Sequence, residues 1–349
     1  MKKDLSVFWE QRWHPIRQEW IVYAAHRESR PWSNKKVDWI EKVEQSKLEP
    51  ECYLCPGNVR FNGYKNKDYN GIFIFDNDFP GISLNAPQNL SVPKGIYKNK
   101  PAVGISKVLC YSHEHNLTLA ELDLKNLEKV VEVWQKQTHL IAGLSEINSV
   151  LIFENRGVLC GASNSHPHGQ LFGTNFVYKN IETYLNSAEQ HFSQTGKILF
   201  RDIIDSELQD GRRVIAENDH TIAFVPYFSK HAYEVYIAPK KTYQSIADMQ
   251  SSEVSDFARI LQNVLIKFDN IWKHSFPYVM TINQAPTDGQ DYKNFHFYIA
   301  FYPPLRKNGM QKYLGGAEIG GGNFHVDVMP ETIAAELKWL SNIHYKKTS

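Results

Sequence analysis

The stretch Gly161-Ala162-Ser163-Asn164-Ser165-His166-Pro167-His168-Gly169-Gln170-Leu171-Phe172 decides the reading of this chain. A turn rich in Gly and Ser runs into an apolar segment, the pattern of a loop feeding a strand. In an extended chain residues two apart point the same way, so His166 and His168 turn both imidazoles to one surface. Pro167 has no N–H to donate, which suits a strand edge beside a turn. Free backbone N–H groups of the turn can cradle a phosphate. A neutral imidazole attacks phosphorus readily, and its phosphoramidate is labile enough to pass the group onward. An isolated His-x-His is commonly just a pair of surface residues, whereas the five-residue string His-Pro-His-Gly-Gln is far more specific.

Around this segment lie β-rich runs at 71–75, 150–153, 220–225 and 233–237. Three- and four-residue apolar spacing predicts a helix over about 119–144, with Thr118 and Glu121 as its capping box, and a second over about 252–272. A third begins near Pro330-Glu331. Strands and helices mix without strict βαβ alternation, which favours an α+β fold. The halves show a weak internal repeat. Asn77-Asp78 aligns with Asn218-Asp219, Phe153-Glu154-Asn155 with Thr281-Ile282-Asn283, and 166–170 with 298–302, so the second copy has lost its histidines. A polar, helical stretch at about 180–196 joins them. The expected organisation is a duplicated unit, 1–180 and 181–349, with two mixed or antiparallel sheets and flanking helices.

With 349 residues the chain is long enough for two such cores. Its 39 Lys and Arg balance 38 Asp and Glu, so no whole-molecule field attracts nucleic acid or an anionic membrane, and anions must be captured locally. No run reads as a signal peptide or a membrane span, and a cytoplasmic protein is expected. Four cysteines are too few for a disulfide scaffold at this size. Cys52-Tyr53-Leu54-Cys55 has the spacing that lets two thiolates grip one tetrahedral Zn²⁺. Histidines would have to complete that site, and His113 and His115 alternate in Tyr111-Ser112-His113-Glu114-His115. Cys110 and Cys160 read as buried apolar cysteines without an assigned role.

The string His166–Gln170 resembles the active-site signature of the galactose-1-phosphate uridylyltransferase family, the transferase branch of the histidine-triad superfamily. Further segments resemble the family in family order: Arg27-Glu28-Ser29-Arg30-Pro31-Trp32, Cys52 to Arg60, Asn77-Asp78-Phe79, Phe153-Glu154-Asn155, Ser275-Phe276-Pro277-Tyr278 and Phe301-Tyr302-Pro303-Pro304-Leu305. Together they span nearly the whole chain.

The resemblance implies that His168 is the nucleophile toward the α-phosphorus of UDP-glucose, that glucose 1-phosphate leaves, and that a hexose 1-phosphate takes the uridylyl group from the imidazole. Gln170 stands where hydrolases of the superfamily carry a histidine and can donate to a phosphoryl oxygen without acting as an acid. The resemblance completes one structural zinc site, Cys52, Cys55, His115 and His166. It places Asn77 and Asp78 at the uridine, Leu54 and Phe75 in the base pocket, and Asn155, Gly161 and Ser163 near ribose and phosphates. Arg27 and Arg30 reach phosphate oxygens from the neighbouring subunit, which implies a homodimer, and Lys312 and Glu318 fall at the hexose loop.

Two departures stand out. The positions of three family ligands for a second metal read Asn283, Tyr298 and Ala300, so a second metal is not expected. At the hexose loop a family tyrosine is Ala317, and Gly320-Gly321-Gly322-Asn323 replaces bulkier residues, leaving the sugar open. Two other functions fit the same motif: a phosphorylase using inorganic phosphate as acceptor, and a zinc-stabilised nucleotide-binding module without catalysis.

Overall fold

The computed structural model describes residues 9–29, 37 and 46–347. Strands β1 (Trp9–His14) and β2 (Glu19–Ala24) open it. The first half then runs β3 (Phe73–Asp76), β4 (Gly104–Cys110), α1 (Leu124–Ala142), β5 (Ser149–Arg156) and β6 (His168–Thr174). Two helices follow, α2 (Lys179–Thr195) and α3 (Leu199–Asp210). The second half comprises β7 (Val214–Glu217), β8 (Thr221–Phe224), β9 (Val235–Pro239), α4 (Ser251–Trp272), β10 (Tyr278–Asn283) and β11 (Tyr298–Tyr302). The chain closes with β12 (Leu305–Lys307), β13 (Met310–Gln311), the single turn α5 (Gly316–Ile319), β14 (His325–Val326) and α6 (Pro330–Trp339).

The α+β class holds, but the expected two sheets are one. Nine strands run in the order β3-β4-β6-β5-β10-β11-β9-β8-β7, and the halves meet where β5 pairs antiparallel with β10. Each of these strands would otherwise end its half-sheet with unpaired N–H and C=O groups, and joining them satisfies both edges. A smaller sheet, β1-β2-β14, lies apart from it.

Strand pairing also corrects the register of the repeat. Phe153 of β5 pairs with Thr281 of β10, with Gln170 of β6 on one side and Ala300 of β11 on the other. Gln170 therefore corresponds to Ala300, His168 to Tyr298 and His166 to His296, two residues from the sequence register. One histidine of the motif does survive in the second copy. The match of Asn77-Asp78 with Asn218-Asp219 also fails, because the first pair follows β3 whereas the second lies in the turn between β7 and β8.

One face of the sheet packs on α1 and α4, whose Leu127, Val130, Trp134, Phe257, Leu261 and Leu265 are buried. On the opposite face the halves differ. In the second half α2 and α3 fill it with rings, Tyr184 and Phe200 lying against Tyr236 and Tyr298. In the first half the equivalent surface carries the Cys52–Cys55 loop, packed on Val108 and Cys110. Asymmetric cover thus leaves a concavity over β4 and β6.

Helix α1 starts later than its periodicity implies. Thr118 and Glu121 make their mutual hydrogen bonds, the Thr118 hydroxyl donating to the Glu121 carboxylate at 3.0 Å, but these close a separate turn. The helix is capped by Asp123, which accepts from the Asn126 N–H at 2.8 Å. Helix α4 begins one residue before the expected start, and α6 begins at Pro330 as expected.

Candidate active site

Two turns and one strand build the site. The 52–55 turn is closed by the Cys55 N–H donating to the Cys52 carbonyl at 3.1 Å, which brings both thiols to one side. The ligand atoms of Cys52, Cys55, His115 and His166 all lie within 4.8 Å of one another, and all four residues are buried. Nδ1 of His115 and of His166 lie 3.6 and 3.5 Å from the Cys55 sulfur. Their other nitrogens face outward: Nε2 of His166 is 3.0 Å from the Ser112 carbonyl oxygen, and Nε2 of His115 is 3.0 Å from the Ser165 hydroxyl. With Nε2–H donated to that carbonyl, His166 offers its Nδ1 lone pair inward, as a metal ligand does. The Leu54 N–H and the Asn164 amide reach the Cys52 sulfur at 3.4 and 3.5 Å. Burial alone would raise the Cys52 thiol, but donors from His115 and His166, with these two, hold it below its usual value. The donor set fits a metal ion. His113 points elsewhere, its Nδ1 accepting from the Gly71 N–H at 3.3 Å.

From this cluster the chain passes directly to His168, the first residue of β6. Nδ1–H of His168 donates to the His166 carbonyl at 2.7 Å, which leaves the Nε2 lone pair available. Burial depresses the His168 pKa, so the ring stays neutral. Along β6 the partly exposed residues are His168, Gln170 and Phe172, all on the concave face, while Gly169, Leu171 and Gly173 face the helices. Gly169 is required by contact: a Cβ there would sit 2.2 Å from the Tyr111 hydroxyl.

Two cavities meet at His168. The smaller, about 330 Å³, takes in Leu54, Phe75, Asn77, Asp78 and Gln170 together with Tyr53, Phe61, Phe79 and Val108. The larger, about 750 Å³, takes in Asn155 and the 162–168 loop and extends to Arg156, His274 and Tyr345. Ser163 and His168 line both. Asp78 is held by the Asn62 amide at 2.5 Å, and Asn77 accepts from the Phe79 N–H at 2.9 Å. Gly161 lines neither cavity. Its φ of 75° turns the chain out of a short 3-10 segment and sends Ala162 and Ser163 toward the site.

Arg27, Lys312 and Glu318 come together, but away from both cavities. The Lys312 ammonium donates to Glu318 at 3.0 Å and to the His325 carbonyl at 2.8 Å, and Arg27 lies 3.4 Å from the His325 ring. Arg30 lies outside the described residues. Sequence reasoning gave no role to Tyr53, Phe61, Phe79 and Val108. Tyr53 and Phe79 carried a usable signal, lying inside the segments Cys52 to Arg60 and Asn77-Asp78-Phe79, whereas Phe61 and Val108 carried none.

A buried polar network borders the larger cavity, to which Glu154, Arg156 and Asp269 contribute. The Tyr278 hydroxyl donates to Glu154 at 3.3 Å, Arg156 pairs with Asp269 at 2.8 Å, and His344 reaches Asp269 at 3.2 Å. No helix among the described residues is long and apolar enough to cross a membrane.

Known proteins agree with this geometry. Residues 2–178 match the N-terminal domain, and residues 182–349 the C-terminal domain, of the family described as galactose-1-phosphate uridyl transferase. The chain is 31% identical over 338 residues to the galactose-1-phosphate uridylyltransferase of Haemophilus influenzae, covering 97% of this chain and 96% of that one. It is 33% identical over 358 residues to the galactose-1-phosphate uridylyltransferase of Saccharomyces cerevisiae, with 98% and 97% covered. A solved uridylyltransferase structure superposes with a TM-score of 0.76 at 25% identity, covering 94% of this chain and 97% of that one. The chain belongs to the galactose-1-phosphate uridylyltransferase family.

Proposed function

We propose that this protein transfers a uridylyl group from UDP-glucose to a hexose 1-phosphate, galactose 1-phosphate foremost, through a covalent uridylyl-His168. The observation that carries the reading is the placement of His168, which has Nδ1 tied to the His166 carbonyl and sits where the two cavities meet. Its Nε2 lone pair forms the bond to the α-phosphorus. The bond from that phosphorus to the bridging oxygen breaks, and glucose 1-phosphate leaves with the electron pair. A phosphate oxygen of the incoming hexose 1-phosphate then displaces the imidazole. The Gln170 amide, on the same face of β6, donates to a phosphoryl oxygen as charge builds on it. It cannot supply the proton that hydrolysis would draw on.

In this reading the smaller cavity takes the uridine, with Leu54 and Phe75 in the base pocket and Asn77 and Asp78 at the uridine. Asn155 and Ser163 attend ribose and phosphates, with Gly161 shaping their loop. Residues 1–180 form the catalytic unit and 181–349 the degenerate copy, whose concave face is filled by rings. One Zn²⁺ at Cys52, Cys55, His115 and His166 has four protein ligands and no open position, so its work is structural. It supplies the fixed point from which His166 aims His168. Asn283, Tyr298 and Ala300 offer no comparable donor set.

The protein acts as a homodimer. Arg27, Lys312 and Glu318, gathered on one surface and lining neither cavity, serve the partner's site, together with Arg30. Unoxidised thiols at the metal site suit the cytoplasm. Turnover of UDP-glucose with galactose 1-phosphate, compared with inorganic phosphate, tests the acceptor. Rapid turnover with phosphate alone would favour a phosphorylase.

A further inference from the structure

The strand that carries the nucleophile is paired along its whole length on one side only. β4 follows β6 to its first residue, with Leu109 opposite Gly169 and Cys110 opposite His168. On the other side β5 stays with β6 only as far as Phe153 opposite Gln170. β5 itself runs on to Arg156, where Glu154, Asn155 and Arg156 pair with Met280, Val279 and Tyr278 of β10. The sheet therefore opens between β5 and β6 at the catalytic end. Continuing the register across that opening sets Glu154 opposite Gly169 and Asn155 opposite His168. Asn155 and His168 both line the larger cavity.

On the helix side this opening is filled by polar groups where packing alone would take apolar ones. Glu154 is buried there between two buried tyrosines, Tyr111 and Tyr278, and the Tyr278 hydroxyl donates to it at 3.3 Å. The Tyr111 hydroxyl lies directly beneath Gly169. Tyr111 is also tied to the motif by its backbone N–H, which donates to the Pro167 carbonyl at 3.2 Å, and its ring stands edge-on to Trp134 of α1. The Arg156–Asp269 ion pair closes the group against α4. Burial pushes the Glu154 carboxyl up to about 7, although Arg156 and the two phenols pull it down. A carboxyl here carries a desolvation cost that a leucine would not, and a buried polar network fixes one arrangement where apolar contact would allow several.

We propose that Glu154, wedged between Tyr111 and Tyr278, is a positioning residue that sets the opening between β5 and β6 and with it the spacing of Asn155 from His168. The proposal rests on the uridylyl reading for its effect on rate, but not for the placement of the His168 ring. Asn155 attends ribose and phosphates while His168 attacks, so a change in their spacing takes the phosphorus out of line with the ring nitrogen. The smaller cavity, which Glu154 does not line, holds the uridine, so the loss falls on kcat and spares KM.

The test compares the wild type with Glu154→Gln, Glu154→Leu and Tyr278→Phe. Kinetics with UDP-glucose and galactose 1-phosphate are measured beside the melting temperature and the proton resonance of the His168 Nδ1–H, which is identified by its absence from His168→Ala. Glu154→Gln keeps a donor and an acceptor in place and should match the wild type in kcat and in the resonance. Glu154→Leu and Tyr278→Phe should lose roughly tenfold or more in kcat with KM changed by no more than about twofold, and the resonance should shift or broaden in both. Tyr278→Phe removes a single oxygen, so it gives the answer should Glu154→Leu fail to fold. The wedge is overturned if Tyr278→Phe keeps both the wild-type kcat and the resonance, if KM rises as much as kcat falls, or if Glu154→Gln fares no better than Glu154→Leu. If the wild type releases no glucose 1-phosphate from UDP-glucose, the uridylyl reading fails, and the resonance in Tyr278→Phe decides the wedge: shifted or broadened it stands, unchanged it falls.

Discussion

The ring nitrogen Nδ1 of His168 lies 2.7 Å from the main-chain oxygen of His166, so a residue of the cluster that could hold a metal also fixes the tautomer of its neighbour. On the proposed reading, metal binding and nucleophile placement are therefore one mechanical unit. His166→Ala should lose metal and slow transfer while leaving a nucleophile in the chain. His168→Ala should keep the metal and abolish transfer. Metal content measured beside activity separates the two.

Removing a thiolate should act on the fold first. Cys52→Ser is expected to lose about one metal per chain and to melt at a distinctly lower temperature, because metal binding is linked to folding. His113→Ala should retain the metal, as its ring bonds Gly71 outside the cluster. Elemental analysis and thermal denaturation check both variants. Loss of metal from His113→Ala with retention in His115→Ala would overturn the ligand set.

Strand β6 leaves no room for a side chain at Gly169. In Gly169→Ala the new Cβ meets the Tyr111 hydroxyl and also lies 3.1 Å from the Phe153 carbonyl oxygen, so β6 must shift and carry His168 with it. Activity should fall at least tenfold, since small misplacements of a reacting group are costly. Adding Tyr111→Phe should restore part of it. A Gly169→Ala variant with wild-type kcat would contradict this account of the strand.

Glu154 makes stability depend on pH. Burial raises its carboxyl pKa from 4.5 to about 7, the nearby Asp269 adding to the effect while Arg156 and the Tyr278 hydroxyl oppose it. An acid raised in the folded state contributes stability that is complete below the unfolded value and is lost as pH climbs through the folded one. Wild-type stability should therefore decline between about pH 4.5 and 7 from this group, by on the order of 3 kcal/mol. Glu154→Gln, permanently neutral, should melt like the wild type at pH 5 and above it at pH 8. Equal melting curves at both pH values would rule the effect out.

If Arg27 and Lys312 serve the partner's site, neither variant of a complementing pair need be active alone. Mixing Lys312→Met chains with His168→Ala chains, with subunit exchange, should restore up to about a quarter of wild-type activity in a two-fold assembly. A fully active monomer would refute the shared site.

Much of the site could be read in the sequence because its chemistry is local. Cys52 and Cys55 share one turn, and His166, His168 and Gln170 share one strand end, so spacing alone aligned them. The join between the halves could not be read this way. Nothing in the apolar alternation of β5 or β10 says that their free edges pair with each other, and without that pairing the repeat register slipped by two residues. The start of α1 slipped because Thr118 and Glu121 do form their reciprocal contacts, as a turn in front of Asp123. Phe61 escaped notice because an exposed ring looks like a loop residue until two loops place it at one cavity mouth.

Gln170→Ala should keep the nucleophile and cost on the order of a hundredfold in kcat, the usual effect of losing one donor to a developing oxyanion. Gln170→His puts an acid–base group in that place, and release of UMP to water, measured in the absence of acceptor, should rise above the wild-type level. An unchanged kcat in Gln170→Ala would remove the residue from the transition state.

The central claim is the covalent intermediate on His168. The most direct measurement is to mix the enzyme with UDP-glucose labelled in the uridylyl phosphate and no acceptor, quench in alkali, and map the labelled peptide. The account predicts stoichiometric release of glucose 1-phosphate and label on His168. Label on another residue, or no glucose 1-phosphate until a hexose 1-phosphate is added, would contradict it.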